Sequence, residues 1–119
     1  MGDLSKHFSR SEFECKCGCG YDTVDSKLIE LLEKIRTRLA KPIKITSGCR
    51  CHEHNAKVGG SLRSQHKLGR AADIIVTDVD PAVVYRVAEE LMRDEDGGIG
   101  KYEHFTHIDS RNGRARWIG

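Results

Sequence analysis

Two amphipathic helical patterns, separated by short apolar runs of β type, constrain most strongly how this chain can fold. The first pattern predicts a helix over Ser26–Leu39, with Asp25 or Ser26 in position to cap its start. The second begins after the Asp80–Pro81 pair, which suits a helix cap followed by a first helical turn, and it ends near Arg93. Each helix has one apolar face, so both must pack against another layer of the protein.

The runs between and after these helices predict strands. Ile43–Ser47 alternates apolar and polar residues, and Ala71–Val76 is a short apolar run. Two closing strands are predicted at Phe105–Asp109 and Ala115–Ile118, joined by a hairpin turn at Asn112–Gly113. We expect an α+β domain in which the two helices cover one face of a small, mostly antiparallel sheet. A turn ahead of the closing strands is indicated by Gly97, Gly98 and Gly100.

Composition limits the classes of function. The 119 residues suit one domain over 1–119, with a Cys-rich segment, residues 1–24, packed on it. The net charge of +2 offers no broad basic field, so nucleic acid is not expected as a partner, and Arg111, Arg114 and Arg116 are interpreted as solvated strand faces. No apolar run is long enough to span a bilayer and no secretory signal is visible. We therefore expect a monomer that stays in the cytoplasm.

The five cysteines form two tight groups, Cys15, Cys17 and Cys19 in the first and Cys49 and Cys51 in the second. An odd number cannot form a complete disulfide framework. Two alternatives stay open. Thiolates from both groups could hold a structural metal ion, although Cys-x-Cys is not the usual zinc spacing. Otherwise the thiols are reduced, or two of them form an incidental disulfide.

Three residues offer the donor atoms of a catalytic zinc site. Such a site takes three ligands from histidine, aspartate or glutamate and leaves a fourth position for water. His66 lies in a polar loop predicted between Gly59 and Gly69, and a turn at Gly69 can bring it to Asp73 at the start of a strand. His107 is a candidate third ligand because it shares one face of its strand with Asp109. The nearby His52-Glu53-His54 is not the zinc motif of helical metallopeptidases, since its histidines are two positions apart.

Several motifs of the chain occur together in one known family. They are Ser64-x-His66-x6-Asp73, the intervening Gly69-Arg70-Ala71-Ala72, Phe105-Thr106-His107-Ile108-Asp109, Ser47-Gly48-Cys49-Arg50-Cys51 and Glu53-His54-Asn55. From about Phe8 to Trp117 the chain resembles the zinc D-Ala-D-Ala carboxypeptidase family. That superfamily also holds D-Ala-D-Ala dipeptidases, phage L-Ala-D-Glu endolysins and the hedgehog signalling domain. Cys49 stands where the family often has an aromatic residue, which bears on the pocket wall beside Arg50.

The resemblance implies a role for each residue around one catalytic Zn²⁺ ion. His66, Asp73 and His107 would hold the ion, which would activate a water molecule as the nucleophile. Arg50 corresponds to the family's arginine, whose planar guanidinium would bind a substrate carboxylate through two N–H groups. Two further residues, Ser64 and Gln65, would donate or accept hydrogen bonds with the same carboxylate or with a substrate amide.

A general base must lie within hydrogen-bond reach of the activated water. In several relatives it stands three residues before the last histidine ligand, a position that is His104 in this chain. Glu103 is the alternative. An extended strand would point His104 away from His107, so a turn or bulge at the start of this strand is required. Asp109 is expected to orient the imidazole of His107.

The function implied by the resemblance is the hydrolysis of peptidoglycan stem peptides by a zinc D-Ala-D-Ala carboxypeptidase. One alternative is an L-Ala-D-Glu endopeptidase of the phage endolysin type. A second alternative is a non-catalytic, zinc-holding binding module of the hedgehog type. Without a visible leader, an enzyme of the cell wall would act after lysis or after an export route that the sequence does not reveal.

Overall fold

A computed structural model describes residues 3–60 and 64–119. Residues 61–63, which belong to the loop predicted between Gly59 and Gly69, lie outside the described part. The elements in chain order are a 3₁₀ helix (Arg10–Phe13), α1 (Ser26–Leu39), β1 (Ile43–Ser47), α2 (His52–Lys57), a second 3₁₀ helix (Gln65–Leu68), β2 (Ala71–Val76), α3 (Pro81–Met92), β3 (Gly97–Lys101), β4 (Thr106–Asp109) and β5 (Arg114–Ile118).

The two long helices begin and end where the sequence predicts. The Asp80 side chain accepts a hydrogen bond from the Ala82 N–H at 2.8 Å, and Pro81 occupies the first turn of α3. Helix α1 ends with Ala40 in the left-handed conformation. Asp25 does not cap α1 with its side chain; its carboxylate accepts a hydrogen bond from the Ser110 hydroxyl at 2.6 Å instead.

The five strands form one mixed sheet in the order β1-β2-β4-β3-β5. Every neighbouring pair is antiparallel except β3 and β5, which are parallel. The predicted α+β class with a small, mostly antiparallel sheet is confirmed. In the β2–β4 pair, Asp73 lies opposite His107 and Ala72 lies opposite Ile108. Alternate residues therefore face the helices on one side of the sheet and the polar site on the other.

Both predicted closing strands are present as β4 and β5, but the predicted hairpin between them is wrong. Gly97, Gly98 and Gly100 do not form a turn; they belong to β3, which lies between β4 and β5. The chain does turn at Gly113, where φ is +86°, but β5 pairs with β3 rather than with β4. A glycine-rich run has the composition of a turn, so local residue preferences do not predict that this segment forms strand β3.

One apolar core joins the helices to the inner face of the sheet. Ile74, Ile99 and Ile108 from the central strands are at most 1% exposed, and they pack with the buried residues of α1 and α3. Phe8 and Phe13 of the N-terminal segment belong to the same core, with ring centroids 6.1 Å apart. None of the helices in residues 3–60 and 64–119 is long and apolar enough to cross a bilayer.

The interpretation of the C-terminal arginines as solvated strand faces is confirmed for Arg114, whose side chain is 52% exposed, but it is wrong for Arg116. The Arg116 side chain is only 10% exposed; it pairs with Glu89 of α3 and donates to the carbonyl oxygens of Gly97 and Met92 at 2.7 and 3.1 Å. Arg114 donates to the other oxygen of Glu89 at 2.8 Å. These contacts join β5 to α3. The third arginine, Arg111, belongs to the polar face of the sheet and is described below.

Glu33 of α1 anchors the N-terminal segment. Its carboxylate accepts hydrogen bonds from the Ser5 hydroxyl at 2.5 Å and the His7 N–H at 2.9 Å, and it lies 2.6 Å from His7 Nδ1. Burial raises the pKa of Glu33, but the hydrogen bonds from Ser5 and His7 outweigh burial and hold this pKa below its ordinary value.

We expect Glu33→Gln to lower thermal stability in a pH-dependent way. A carboxyl whose pKa is depressed by folding contributes stability above its unfolded pKa of about 4.3, and this contribution is lost as the pH falls through the folded pKa. The free energy of unfolding should drop by about 1–2 kcal/mol at neutral pH. The difference from wild type should shrink as the pH is lowered towards about 2. Thermal melts followed by circular dichroism measure both quantities.

The matched control is Glu30→Gln, an exposed carboxyl on the same helix. It should shift the melting temperature little at any pH. A Glu33→Gln deficit that stays constant from neutral to acid pH would contradict the assigned role of the ionised carboxylate.

Candidate metal centre

Three side chains from three elements meet on the polar face of the sheet. Asp73 in β2 lies directly opposite His107 in β4, while His66 arrives from the 3₁₀ helix that precedes β2. Asp73 Oδ1 is 3.1 Å from His107 Nδ1 and 3.3 Å from His66 Nε2. The three candidate ligand atoms all lie within 4.8 Å of one another. Ligands about 2.1 Å from a tetrahedral zinc are about 3.4 Å apart, so this spacing fits such an ion.

His66 is brought to this point by a sharp reversal of the chain. The 3₁₀ helix that contains it ends at Gly69, whose φ of +68° is one that residues with side chains rarely adopt. Ser64 begins the same turn, because its hydroxyl oxygen accepts a hydrogen bond from the His66 N–H at 3.2 Å. The sequence predicts the turn at Gly69 but not the short helix between Ser64 and Gly69.

Hydrogen bonds fix which nitrogen each histidine offers to an ion. His66 Nδ1 is 2.6 Å from the Gly48 carbonyl oxygen, which can only accept, so Nδ1 carries the proton and Nε2 is left as the donor to a metal. His107 Nε2 is 2.8 Å from Asp109 Oδ2, so this nitrogen carries the proton and Nδ1 is left for the metal. Partners of this kind orient the imidazoles in metal sites and make them more basic ligands.

The carboxylate of Asp109 is fully buried and accepts hydrogen bonds on both oxygens. Besides His107, its donors are the Gly98 N–H at 2.8 Å and the guanidinium of Arg111, whose Nη2 is 2.6 Å from Oδ2. Burial raises the pKa of Asp109, but these donors outweigh it and keep the pKa well below its usual range. Gly98 makes room for the carboxylate, because a Cβ at this position would lie 2.3 Å from Asp109 Oδ2.

The carboxylate of Asp73 is also ionised in the folded chain. Burial raises its pKa, but the adjacent imidazoles of His107 and His66 outweigh burial and hold the pKa below its ordinary range. Its second oxygen, Oδ2, lies 3.4 Å from Arg50 Nη2. The guanidinium of Arg50 is further held by the Ser47 hydroxyl at 3.2 Å and by Asn55 Oδ1 at 3.3 Å. Arg50 is thus oriented beside the candidate ligands.

These groups line a cavity of about 730 Å³. Two arginines, Arg50 and Arg111, give part of its wall a positive charge. Aromatic rings form another part, with Tyr102 and Phe105 stacked 4.5 Å apart. The described residues that line the cavity are Arg50, Val58, Gly59, Gly60, Ser64, Gln65, His66, Asp73, Tyr102, Phe105, His107, Arg111 and Trp117.

The site residues predicted from the sequence do not include Arg111 or Trp117. The Trp117 ring lies 5.0 Å from the His107 ring and donates its indole N–H to the Tyr102 hydroxyl at 2.9 Å. It reaches His107 across Gly100, where a Cβ would lie 2.5 Å from the indole. The alternation of Asp109 and Arg111 along the chain was an available signal for Arg111. The position of Trp117 depends on the β3–β5 register, which the sequence does not reveal.

The remaining predicted residues lie in two different environments. Gln65 lines the cavity, and its side-chain oxygen is buried without a hydrogen-bond partner among the described residues. Glu103 and His104 occupy the tip of the β3–β4 hairpin, closed by a hydrogen bond from the Tyr102 N–H to the Phe105 carbonyl at 3.0 Å. Their side chains are 88% and 84% exposed, lie 3.7 Å apart and do not line the cavity.

Comparison with known proteins gives one result that covers most of the chain. No curated protein matches it. A family model described as Peptidase M15 matches residues 6–109, a range that includes the elements carrying His66, Asp73 and His107. Because this match extends over far more than half of the sequence, the chain belongs to the peptidase M15 family.

Proposed function

We propose that this chain is a zinc metallopeptidase that hydrolyses the stem peptides of peptidoglycan. The observation that supports it is the trio His66, Asp73 and His107, in which the nitrogen of each imidazole that faces Asp73 Oδ1 is not the one held by Gly48 or Asp109 and is therefore available to an ion. Three ligands of these types suit a catalytic zinc site, in which a fourth position stays free. When bound, Zn²⁺ supplies a Lewis acid that polarises a carbonyl and lowers the pKa of a bound water to about 7.

Arg50 would orient the substrate through a carboxylate. Its side chain is 14% exposed, lines the cavity and directs one N–H each to Ser47, Asn55 and Asp73. A guanidinium carries five N–H groups, so donors remain for a ligand. The neighbouring Gln65 offers a buried side-chain oxygen that needs a donor, and a substrate amide N–H would supply one.

The carboxylate that Arg50 binds decides which bond is cut. A C-terminal D-Ala carboxylate beside Arg50 places the terminal peptide bond at the metal, and this D-Ala-D-Ala carboxypeptidase reaction is the primary proposal. The free carboxylate of D-Glu inside a stem peptide is a second possible ligand and would place the L-Ala-D-Glu bond there. The aromatic wall of Tyr102, Phe105 and Trp117 favours this second candidate, because it offers apolar surface for residues on both sides of the bond.

The proposed general base is His104, with Glu103 as the alternative. Both stand at the tip of a hairpin whose flanking residues, Tyr102 and Phe105, line the cavity. A rotation of the tip is therefore required before either group reaches the metal site, and catalytic contacts are often completed only when substrate binds. The exposure of both side chains is also the specific observation that favours a non-catalytic binding module of the hedgehog type.

The first prediction from the proposed function concerns the reaction itself. The zinc-loaded protein should release D-Ala from a stem pentapeptide that ends in D-Ala-D-Ala, and mass spectrometry should detect both products. Parallel digestion of intact peptidoglycan tests the second candidate, since L-Ala-D-Glu cleavage exposes a new amino group on D-Glu. His66→Ala should bind one zinc ion fewer per chain and lack activity in both assays. Bound zinc with no product from either substrate would refute the peptidase proposal and support a binding module.

The second prediction separates the base from the metal ligands. His104→Ala should retain the zinc content of the wild type and lose turnover by about 10²–10⁴-fold, the usual contribution of a general base. Glu103→Gln, which changes the adjacent exposed side chain, is the matched control and should retain most of the activity. The reverse result would assign the base to Glu103. Full activity in both variants would show that neither residue is the base.

The third prediction tests the carboxylate contact of Arg50. Arg50→Lys keeps the charge but loses the planar pair of N–H groups, so kcat/KM for the pentapeptide should fall about 10–100-fold, which corresponds to about 1.5–3 kcal/mol. A pentapeptide with a C-terminal amide is the control, because it lacks the proposed partner. The two proteins should differ little on this amide. An equal loss on acid and amide, at unchanged zinc content, would contradict the contact.

A further inference from the structure

A second group of potential metal ligands lies outside the proposed catalytic site. Cys15, Cys17 and Cys19 follow the first 3₁₀ helix, and Cys51 stands immediately before α2. Their four sulfur atoms all lie within 4.8 Å of one another. From these four thiols, which we name the thiol cluster, we propose that the chain binds a second, structural Zn²⁺ ion.

The distances within the thiol cluster fit a tetrahedral ion. Zinc–sulfur bonds of about 2.3 Å place two sulfur ligands about 3.8 Å apart. The Cys17 sulfur is 3.5 Å from that of Cys15 and 3.6 Å from that of Cys51. One ion at the centre of the cluster would bind all four sulfurs at once. Four soft sulfur donors in this arrangement select zinc over the hard cations that prefer oxygen ligands.

The backbone around the thiol cluster supports thiolate ligands. The Cys51 N–H donates to the Cys15 sulfur at 3.4 Å, and the His54 N–H donates to the Cys51 sulfur at 3.4 Å. Donors of this kind orient metal ligands and stabilise their negative charge. Gly18 has a φ of +82°, and the turn that it forms brings the first three cysteines to one side of the loop.

The fifth cysteine has a different environment. The Cys49 thiol donates to the Tyr21 carbonyl oxygen at 2.9 Å, and Cys49 is 2% exposed. It is not a member of the thiol cluster. Four of the five cysteines are thus proposed as metal ligands, and the fifth is a buried thiol. This division accounts for an odd number of cysteines, which a complete disulfide framework cannot do.

The thiol cluster joins the N-terminal segment to the residue that follows Arg50. The adjoining backbone is already paired, since the Cys49 N–H donates to the Phe13 carbonyl at 2.9 Å and the Arg50 N–H to the His66 carbonyl at 2.8 Å. A zinc ion here would fasten the two parts of the chain that these bonds connect. Structural zinc ions contribute directly to folding stability, so loss of the ion should lower the melting temperature.

Cobalt substitution tests the thiol cluster separately from the catalytic site. Reduced, metal-free protein titrated with Co²⁺ should bind two ions per chain and develop the near-ultraviolet absorption of cobalt–thiolate bonds. The double variant Cys17→Ser/Cys19→Ser should lose one ion and this absorption. His66→Ala should also lose one ion but retain the absorption, so a failure of the catalytic site cannot be mistaken for a failure of the thiol cluster.

Cys49→Ser is the matched control, because it makes the same chemical change at the thiol outside the cluster. It should bind two ions and keep the full cobalt–thiolate absorption. The melting temperature of His66→Ala reports ion binding at the thiol cluster in a chain whose cysteines are intact. It should be higher with Co²⁺ than without it. A wild-type titration without thiolate absorption, or an unchanged absorption in the double variant, would overturn the proposal.

Discussion

The pairing of Asp73 with His107 across β2 and β4 is the contact on which the rest of the site depends. The two residues are opposite one another in the ladder, and Asp73 Oδ1 lies 3.1 Å from His107 Nδ1. Since side chains alternate across a strand, a slip of either strand by one residue would carry its own residue of the pair into the apolar core and separate it from its partner. The register is held by Ala72 and Ile108, which pair on the opposite face and are fully buried. Packing of the core therefore positions the polar site.

Charge is arranged in alternating layers around this contact. The anionic Asp73 lies between the two histidines and Arg50, and the anionic Asp109 lies between His107 and Arg111. Buried carboxylates are costly unless they are paired and hydrogen-bonded, and here each has several donors. A divalent cation would replace the attraction that the histidines now provide at Asp73. The outer partners, Gly48 and Asp109, keep a proton on His66 Nδ1 and on His107 Nε2 in either state.

The glycines of β3 connect the fold to the site. Gly98 leaves room for the Asp109 carboxylate, and Gly100 leaves room for the Trp117 indole. Larger residues at these positions would displace two groups that contact His107. Glycine has a low preference for strands, but it is tolerated in β3 because the neighbouring side chains need a backbone surface without side chains there. The same composition made β3 look like a turn.

The sequence by itself determined the two long helices, the positions of strands β1, β2, β4 and β5, and the three residues proposed to hold the metal. Helical periodicity and the Asp80–Pro81 start are local signals, and the spacing of His66, Asp73 and His107 belongs to a recognisable motif. Only the tertiary structure decided that β3 separates β4 from β5, that Trp117 lies beside His107 while Arg111 pairs with Asp109, and that Cys51 joins three cysteines from the N-terminal segment. These outcomes depend on strand order and on contacts between residues far apart in the chain, and hydrophobic patterns and turn preferences encode neither.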